Sequence, residues 1–358
     1  MIFSKQLVNW YLQNKRDLPW RKTQDPYLIW LSEIMLQQTR VAQGLPYYES
    51  FVNAFPTVFD LANASEEQVL KLWQGLGYYS RARNLHHTAR FIANELDGKF
   101  PGDYKSLLAL KGVGDYTAAA IASFAFGEKV PVVDGNVFRV LSRVFGVETD
   151  ISNASAKKEF QELALQLMTQ DSKADFSQVN WGPAIFNQAI MEFGALQCAP
   201  KNPNCEVCVF NTNCVALKNG MVANLPLKTK KTKVTNRFLN YLIFEDQHHY
   251  TRIQKRSEKG IWYNLYEFPL IETESDANLE ELIALVAKQY SNSIEITAIE
   301  SLQLLPIRHK LSHQNLSIQF WKVSTNGVLP DGMPFSEVVK MPFPIVIYNF
   351  IERFKTEI

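Results

Sequence analysis

Two carboxylates and four thiols are the residues of this chain whose setting invites chemistry. Asp134 stands at the start of a helical run in which Val137, Val140, Leu141 and Val144 fall on one face. Twenty residues before it lies Gly112-Val113-Gly114, a turn between an apolar helical end at Leu107–Leu110 and a second helix starting near Asp115. Such a turn opens on a helix N-terminus, where free N–H groups and the positive dipole end can hold a phosphate. Glu33 sits in a run that is apolar nearly all round, with Ile29, Trp30 and Leu36 at i−4, i−3 and i+3. Partial desolvation raises a carboxyl pKa, and a raised pKa suits a general acid working near neutrality. Read alone, Asp134 is equally an ordinary N-cap, and Glu33 a carboxylate that snorkels or pairs with an arginine. All four cysteines, Cys198, Cys205, Cys208 and Cys214, fall within seventeen residues as C-x6-C-x2-C-x5-C. A disulfide framework does not suit a cytosolic chain of this size, so the clustered thiolates indicate a metal centre. A zinc ribbon ordinarily has two CxxC knuckles, and here there is one.

The elements that must carry these groups are mostly helical. At 358 residues, 46% hydrophobic and 20% charged, the chain has the composition of a globular protein with room for two domains. Apolar runs are too short to span a membrane, and the first residues lack a signal peptide's apolar core and cleavage site, so a cytoplasmic protein with no membrane partner is expected. The net charge of +1 hides an uneven distribution. Residues 226–237 carry five basic residues (Lys228, Lys230, Lys231, Lys233 and Arg237) and no acidic one. That run reads equally as a solvated tether or as a phosphate contact.

An amphipathic helix begins the chain, with Phe3, Leu7, Trp10 and Tyr11 on one face, until Pro19 in Leu18-Pro19-Trp20-Arg21 takes it out of helix. Asp25-Pro26 opens a helix expected to run to Gln43. The Gly75–Tyr79 stretch reads as a mobile loop before a helix with Arg81 and Arg83. An aromatic on such a loop can wedge into a base stack while the arginines meet phosphates. Beyond the basic run, short strands are expected at Phe238–Phe244, Tyr250–Lys255, Leu302–Lys310 and Leu316–Val323, with helices at Leu279–Tyr290 and Phe343–Phe354, an α+β arrangement.

The strings LKGVGDYTAAA and VVDGNV resemble the helix-hairpin-helix and aspartate signature of the endonuclease III superfamily of DNA glycosylases. LPWR, WLSEIMLQQT, GLGYYSRARN, FNQAIMEFG and the cysteine spacing resemble its adenine-specific, MutY-type branch. The resemblance implies a mainly α helix-hairpin-helix glycosylase region over 1–225 with a 4Fe–4S loop at 198–214, the basic linker 226–237, and an α+β Nudix-like domain over 238–358. It makes Glu33 the catalytic acid, with Asp134, Asn136 and Tyr116 completing the catalytic group. Trp20, Arg21 and Gln188 would hold adenine. Gln38, Thr39, Leu76, Tyr78 (the wedge, with Tyr79 as packing), Gly112 and Gly114 would meet DNA.

The implied cofactor is a 4Fe–4S cluster on the four cysteines, in preference to zinc. Where strand-cleaving relatives carry a Schiff-base lysine two residues after the second glycine, this chain has Tyr116, which is no amine nucleophile. Water is then the nucleophile, and Tyr116 is free to hydrogen-bond Asp134 or the sugar phosphate. EKGIWYNLYEFP resembles the Nudix-like domain of the same family. The glutamate-rich REUxEE helix of a working Nudix hydrolase is missing, so a recognition module is expected. The family's Phe-Ser-His loop, which reads 8-oxoguanine, matches Leu311-Ser312-His313, with leucine replacing phenylalanine. The expected function is removal of adenine mispaired with 8-oxoguanine or guanine in double-stranded DNA, by a monomer that leaves an abasic site. The competing readings are a bifunctional glycosylase with lyase activity, a lesion-binding protein without chemistry and, more distantly, a Nudix pyrophosphohydrolase.

Overall fold

The computed structural model describes residues 3–170, 181–230, 233–290 and 294–354. Asn180 and Lys231 lie outside the described residues. Contacts divide the chain into two units, Met1–Asn63 with Asn84–Lys230, and Ala64–Arg83 with Lys231–Ile358. Among the described residues no helix is long and apolar enough to cross a membrane.

The first unit is helical. Phe3–Asn14 buries Leu7, Val8 and Tyr11 against the apolar faces of Gly135–Phe145, Ala154–Gln170 and Pro183–Leu196. Asp25 caps the next helix through the N–H of Tyr27 at 2.8 Å, with Pro26 in its first turn. That helix ends at Met35, eight residues short of the expected Gln43. Gln38 adopts φ 56°, and a left-handed residue cannot continue a right-handed helix. Gln37, Gln38 and Thr39 therefore stand in a turn, with Gln37 Nε2 donating to Thr117 Oγ1 at 3.0 Å.

The hairpin runs from Tyr104–Leu108 through Gly112 to Asp115–Phe126. Gly112 has φ 78°, and a Cβ there would lie 2.6 Å from Asn84 Cβ, so both backbone and packing require glycine. Gly114 differs. It is the extended N-cap of the following helix, and a Cβ would meet nothing within 4 Å. The tight-turn argument thus holds for one glycine of the pair.

The second unit carries a mixed five-stranded sheet. Thr235–Glu245 runs parallel to Gln314–Asn326, with Leu239 opposite Ile318. Leu270–Thr273 flanks the first of these strands, and Glu295–Ser301 and Ile307–Lys310 pair with the second. The Leu279–Tyr290 helix buries Leu282 and Val286 on the sheet beside Phe244 and Trp321. Three expectations change here, the first because Tyr250–Lys255 is two short strands, Tyr250–Thr251 and Gln254–Lys255, in separate two-stranded sheets. The strand expected at Leu302–Lys310 begins only at Ile307, and Glu295–Ser301 is a strand that the alternation did not single out. Its Glu295, Thr297 and Glu300 dilute the apolar pattern of an edge.

Ala64–Arg83 belongs to this unit through specific bonds. Lys71 Nζ donates to the carbonyls of Val339 and Met341 at 2.7 and 3.1 Å, and Asn264 and Tyr266 donate to Glu66 and Glu67 at 2.6 and 2.8 Å. Arg81 and Arg83 are not free for phosphate. Arg81 is buried, bonds the carbonyls of Leu76 and Gly77, and stacks on Trp73 and Tyr78. Arg83 donates to Tyr263 O at 2.7 Å. Burying a guanidinium costs less when its donors find partners, and these carbonyls take Arg81 Nη2 and Arg83 Nη1.

Candidate active site

In the first unit one cavity of about 550 Å³ is lined by eight of the residues singled out above: Trp20, Arg21, Glu33, Thr39, Tyr116, Asp134, Asn136 and Gln188. They come from five separate stretches of chain. Glu33 is 5% exposed on the Pro26–Met35 helix. Burial raises its pKa to about 7, helped by the Asp134 charge and opposed by a hydrogen bond with Tyr116 and by Arg21. Tyr116 thus pairs with Glu33, where the sequence had suggested Asp134 or a phosphate. Burial also holds the phenol well above its ordinary range, so it keeps its proton.

Asp134 is both N-cap and cavity wall. Its Oδ1 accepts from the N–H groups of Asn136 and Val137, each at 2.8 Å, and its Oδ2 accepts from Asn136 Nδ2 at 2.8 Å. Burial raises its pKa, while these bonds and the Arg139 guanidinium pull it back. The helix behind it approaches closely. A Cβ on Gly194 would lie 2.7 Å from Asn136 Cβ and 2.9 Å from its carbonyl oxygen. Asn187 fixes the extended run before Asp134, accepting from Val132 N at 3.0 Å and donating to Val130 O at 2.9 Å.

Glu192 is the residue the sequence reading missed. It lines the same cavity, four residues after Gln188 on the Pro183–Leu196 helix. Its Oε1 accepts from Arg16 N and Nε at 2.9 and 2.8 Å, and Arg21 Nη2 reaches its Oε2 at 2.7 Å. Burial opposes the carboxylate, but the two guanidinium groups prevail and hold its pKa at about 2. Arg21 Nη1 is buried with no hydrogen-bond partner. The only signal in sequence was an acid one turn beyond a polar residue on an apolar helix.

Gln38 and Gly114 line an adjoining groove with Asp134 and Tyr116. Gln38 is exposed. In the second unit Tyr78 is 45% exposed with φ 48°, while Tyr79 is buried. Positive φ is uncommon for non-glycine residues and collects at functional positions, and Gln38 and Tyr78 share it. Leu76 is 4% exposed and stands inside the unit, away from any surface contact. Ser312 and His313 are exposed on the turn before Gln314–Asn326, and the Ser312 hydroxyl hydrogen-bonds that of Tyr78.

The four cysteines are free thiols around one small cavity also lined by Arg143. Arg143 Nη1 lies 3.5 Å from Cys198 Sγ, and Phe210 N lies 3.4 Å from Cys208 Sγ. Burial pushes Cys208 up to about 11 and raises Cys198, so thiolates here need positive charge beyond the nearby arginines. Among the described residues no three or more His, Cys, Asp or Glu side chains are arranged around a single metal ion. Arg139 links this loop to the cavity, donating to Cys198 O at 2.8 Å, Gly194 O at 2.6 Å and Asn136 Oδ1 at 2.8 Å.

Residues 31–166 match the family of HhH-GPD superfamily base excision DNA repair proteins, and residues 240–353 match the NUDIX domain. An adenine DNA glycosylase of Buchnera aphidicola subsp. Schizaphis graminum is 36% identical over 320 residues, 88% of this chain and 86% of that protein. The adenine DNA glycosylase of Homo sapiens is 44% identical over 223 residues, 60% of this chain and 39% of that one. Among solved structures, a thermostable thymine-DNA glycosylase superposes with TM-score 0.53 at 31% identity, covering 61% of this chain and 95% of its own.

Proposed function

The chain belongs to the adenine DNA glycosylases of base-excision repair, and from that premise we propose that it removes adenine mispaired with 8-oxoguanine or guanine in double-stranded DNA, acting as a monomer. The observation that carries the reading is one cavity holding a carboxyl with pKa near 7, Glu33, beside a hydrogen-bonded carboxylate, Asp134. Glycosidic cleavage uses two carboxyl groups in different roles, one that protonates the leaving group and one that stabilises the sugar cation.

Adenine is flipped from the duplex at a cost of a few kcal/mol. Trp20, Arg21 and Gln188 hold it, with Arg21 Nη1 as the waiting donor. Glu33, protonated at neutral pH in a sizeable fraction of molecules, gives its proton to a ring nitrogen and makes the base a leaving group. Asp134 stabilises the oxocarbenium-like sugar, and Asn136 holds that carboxylate in place. Water completes the hydrolysis and leaves an abasic site. Tyr116 hydrogen-bonds Glu33 and supplies no amine, in keeping with a monofunctional enzyme.

DNA is held by the hairpin at Gly112 and Gly114, where the open side of Gly114 leaves the helix N-terminus clear for a phosphate. Gln38 and Thr39 lie near the opened stack, and Tyr78 is the wedge. Its hydroxyl contact with Ser312 supports a joint role with His313 in reading 8-oxoguanine. The Nudix-like domain acts here as a reader. Cys198, Cys205, Cys208 and Cys214 would hold a 4Fe–4S cluster, whose irons supply the positive charge these buried thiolates lack.

The test is single-turnover incubation with a labelled duplex carrying adenine opposite 8-oxoguanine, resolved with and without hot alkali. Strand breaks only after alkali are expected. Breaks without alkali would establish lyase chemistry, and tight binding without product would leave a lesion-binding protein. Asp134→Asn keeps an N-cap residue, so it should retain duplex binding and lose turnover.

A further inference from the structure

A buried tyrosine of the first helix backs the base cavity. Tyr11, on the first helix, is 2% exposed, and its hydroxyl donates to Gln188 Oε1 at 2.7 Å. The Arg21 guanidinium carbon lies 5.7 Å from the centre of the Tyr11 ring. Arg21 and Gln188 both line the base cavity, and both also line a second hollow of about 410 Å³ on the side of Tyr11, Lys15 and Lys22. They form the partition between the two spaces, and Tyr11 touches both from behind.

We propose that Tyr11 is a positioning residue for base selection: its hydroxyl occupies Gln188 Oε1 and so turns the amide nitrogen of Gln188 toward the base. The inference rests on the reading of Gln188 as a base contact and deepens it. A glutamine amide is nearly symmetric in shape, and its hydrogen-bond partners decide which end points where. Tyr11 donates to Gln188 Oε1, and burial raises the phenol so that it keeps the proton it shares. The oxygen end of Gln188 is thereby engaged, and the end left for the cavity is a donor.

Adenine suits a donor, since its ring nitrogens N1, N3 and N7 are all acceptors. Hypoxanthine and guanine carry a hydrogen on N1 and an oxygen at position 6, reversing the pattern at that edge. A fixed N–H facing their N1–H leaves both groups unpaired in a dry cavity, and sites built on a buried hydrogen bond reject a mismatched partner strongly. Were the amide free to turn, its oxygen could meet N1–H and the discrimination would fade. Arg21 cannot supply this selectivity by turning over, because a guanidinium has donors only.

The experiment compares single-turnover excision of adenine and of hypoxanthine opposite the same partner base, in wild type, Tyr11→Phe, Gln188→Glu and Gln188→Ala. Tyr11→Phe keeps the ring beneath Arg21 and removes only the hydroxyl. The adenine-to-hypoxanthine rate ratio should fall roughly tenfold. Gln188→Glu, which can present only oxygen, should shift the ratio the same way with Tyr11 intact. General loosening of the helix would slow both bases alike and leave the ratio unmoved. An unchanged ratio in Tyr11→Phe, with adenine excision impaired in Gln188→Ala, overturns the positioning role alone. Unchanged adenine excision in Gln188→Ala overturns the base contact itself, and the positioning role with it.

Discussion

Arg21 and Glu192 are separated by 171 residues in the sequence, and in the folded protein Arg21 Nη2 lies 2.7 Å from the Glu192 carboxylate. Because Arg16 binds the same carboxylate, Glu192 is fully engaged, and Arg21 keeps one buried donor, Nη1, without a partner. The pair fixes a guanidinium at the cavity wall before any ligand arrives, which is the condition for electrostatic preorganisation.

Glu192→Ala should therefore damage both folding and catalysis. It strands two arginines whose partner is fully buried, a loss of about 3 kcal/mol for a broken buried pair, reduced somewhat because Arg16 is one-third exposed. Thermal denaturation would register the lower midpoint. The pKa of Glu192 near 2 lies below the ordinary carboxyl value of 4.5. Its stabilisation is thus present above about pH 4.5 and disappears as the pH falls toward 2. A variant as stable as wild type at pH 7 would show that the pair contributes nothing.

Glu33 has the opposite sign. Its folded pKa of about 7 lies above 4.5, so the stabilisation of its neutral form is full below pH 4.5 and is lost as the pH rises to about 7. The loss is about 3 kcal/mol. Glu33→Gln, neutral at every pH, should melt above wild type at pH 8 and match it at pH 4. Single-turnover excision by wild type should fall about tenfold per unit above pH 7, and Glu33→Gln should lose about 10²–10⁴ of the rate. A flat pH profile would assign the acid elsewhere.

Gly194→Ala places a methyl group within 3 Å of Asn136 backbone atoms at the start of the Asp134 helix. Overpacking of this kind costs about 1–3 kcal/mol, and the displaced helix start carries Asp134 with it. Excision should drop by more than the stability loss explains, since about 1 Å of misplacement can cost about 10²-fold. Excision and duplex affinity measured together separate the two effects.

The cysteines give a prediction about metal. Purified protein should contain about four irons per chain, and Cys208→Ser should lower both the iron content and the melting temperature. One zinc per chain would replace the cluster by a mononuclear site.

Several of these features are legible in the sequence because their causes are local. The burial of Glu33 follows from apolar residues three and four positions away on its own helix, and the cap geometry of Asp134 from bonds to Asn136 and Val137. The hairpin requires glycine at 112, where φ is positive, and tolerates other residues at 114, where it is not. Family resemblance named the cavity residues Trp20, Arg21, Tyr116 and Gln188. The same reading ran the Glu33 helix through Gln38, because apolar periodicity does not report a single left-handed residue. It assigned Arg81 and Arg83 to phosphates, when the carbonyls that take them come from the loop beside Arg81 and from Tyr263.

Sequence thus determined most helices, the apolar setting of Glu33, the cap at Asp134, the thiol cluster and the alternation of the longest C-terminal strands, all set by neighbours within a turn or a pleat. The tertiary structure alone decided that Glu192 grips Arg16 and Arg21, that Tyr11 backs Gln188, and that Ala64–Arg83 joins the C-terminal unit. Those pairings join groups up to 270 residues apart. Local propensity and spacing carry no term for them, because a partner at that separation is fixed only when the apolar faces of the helices have packed.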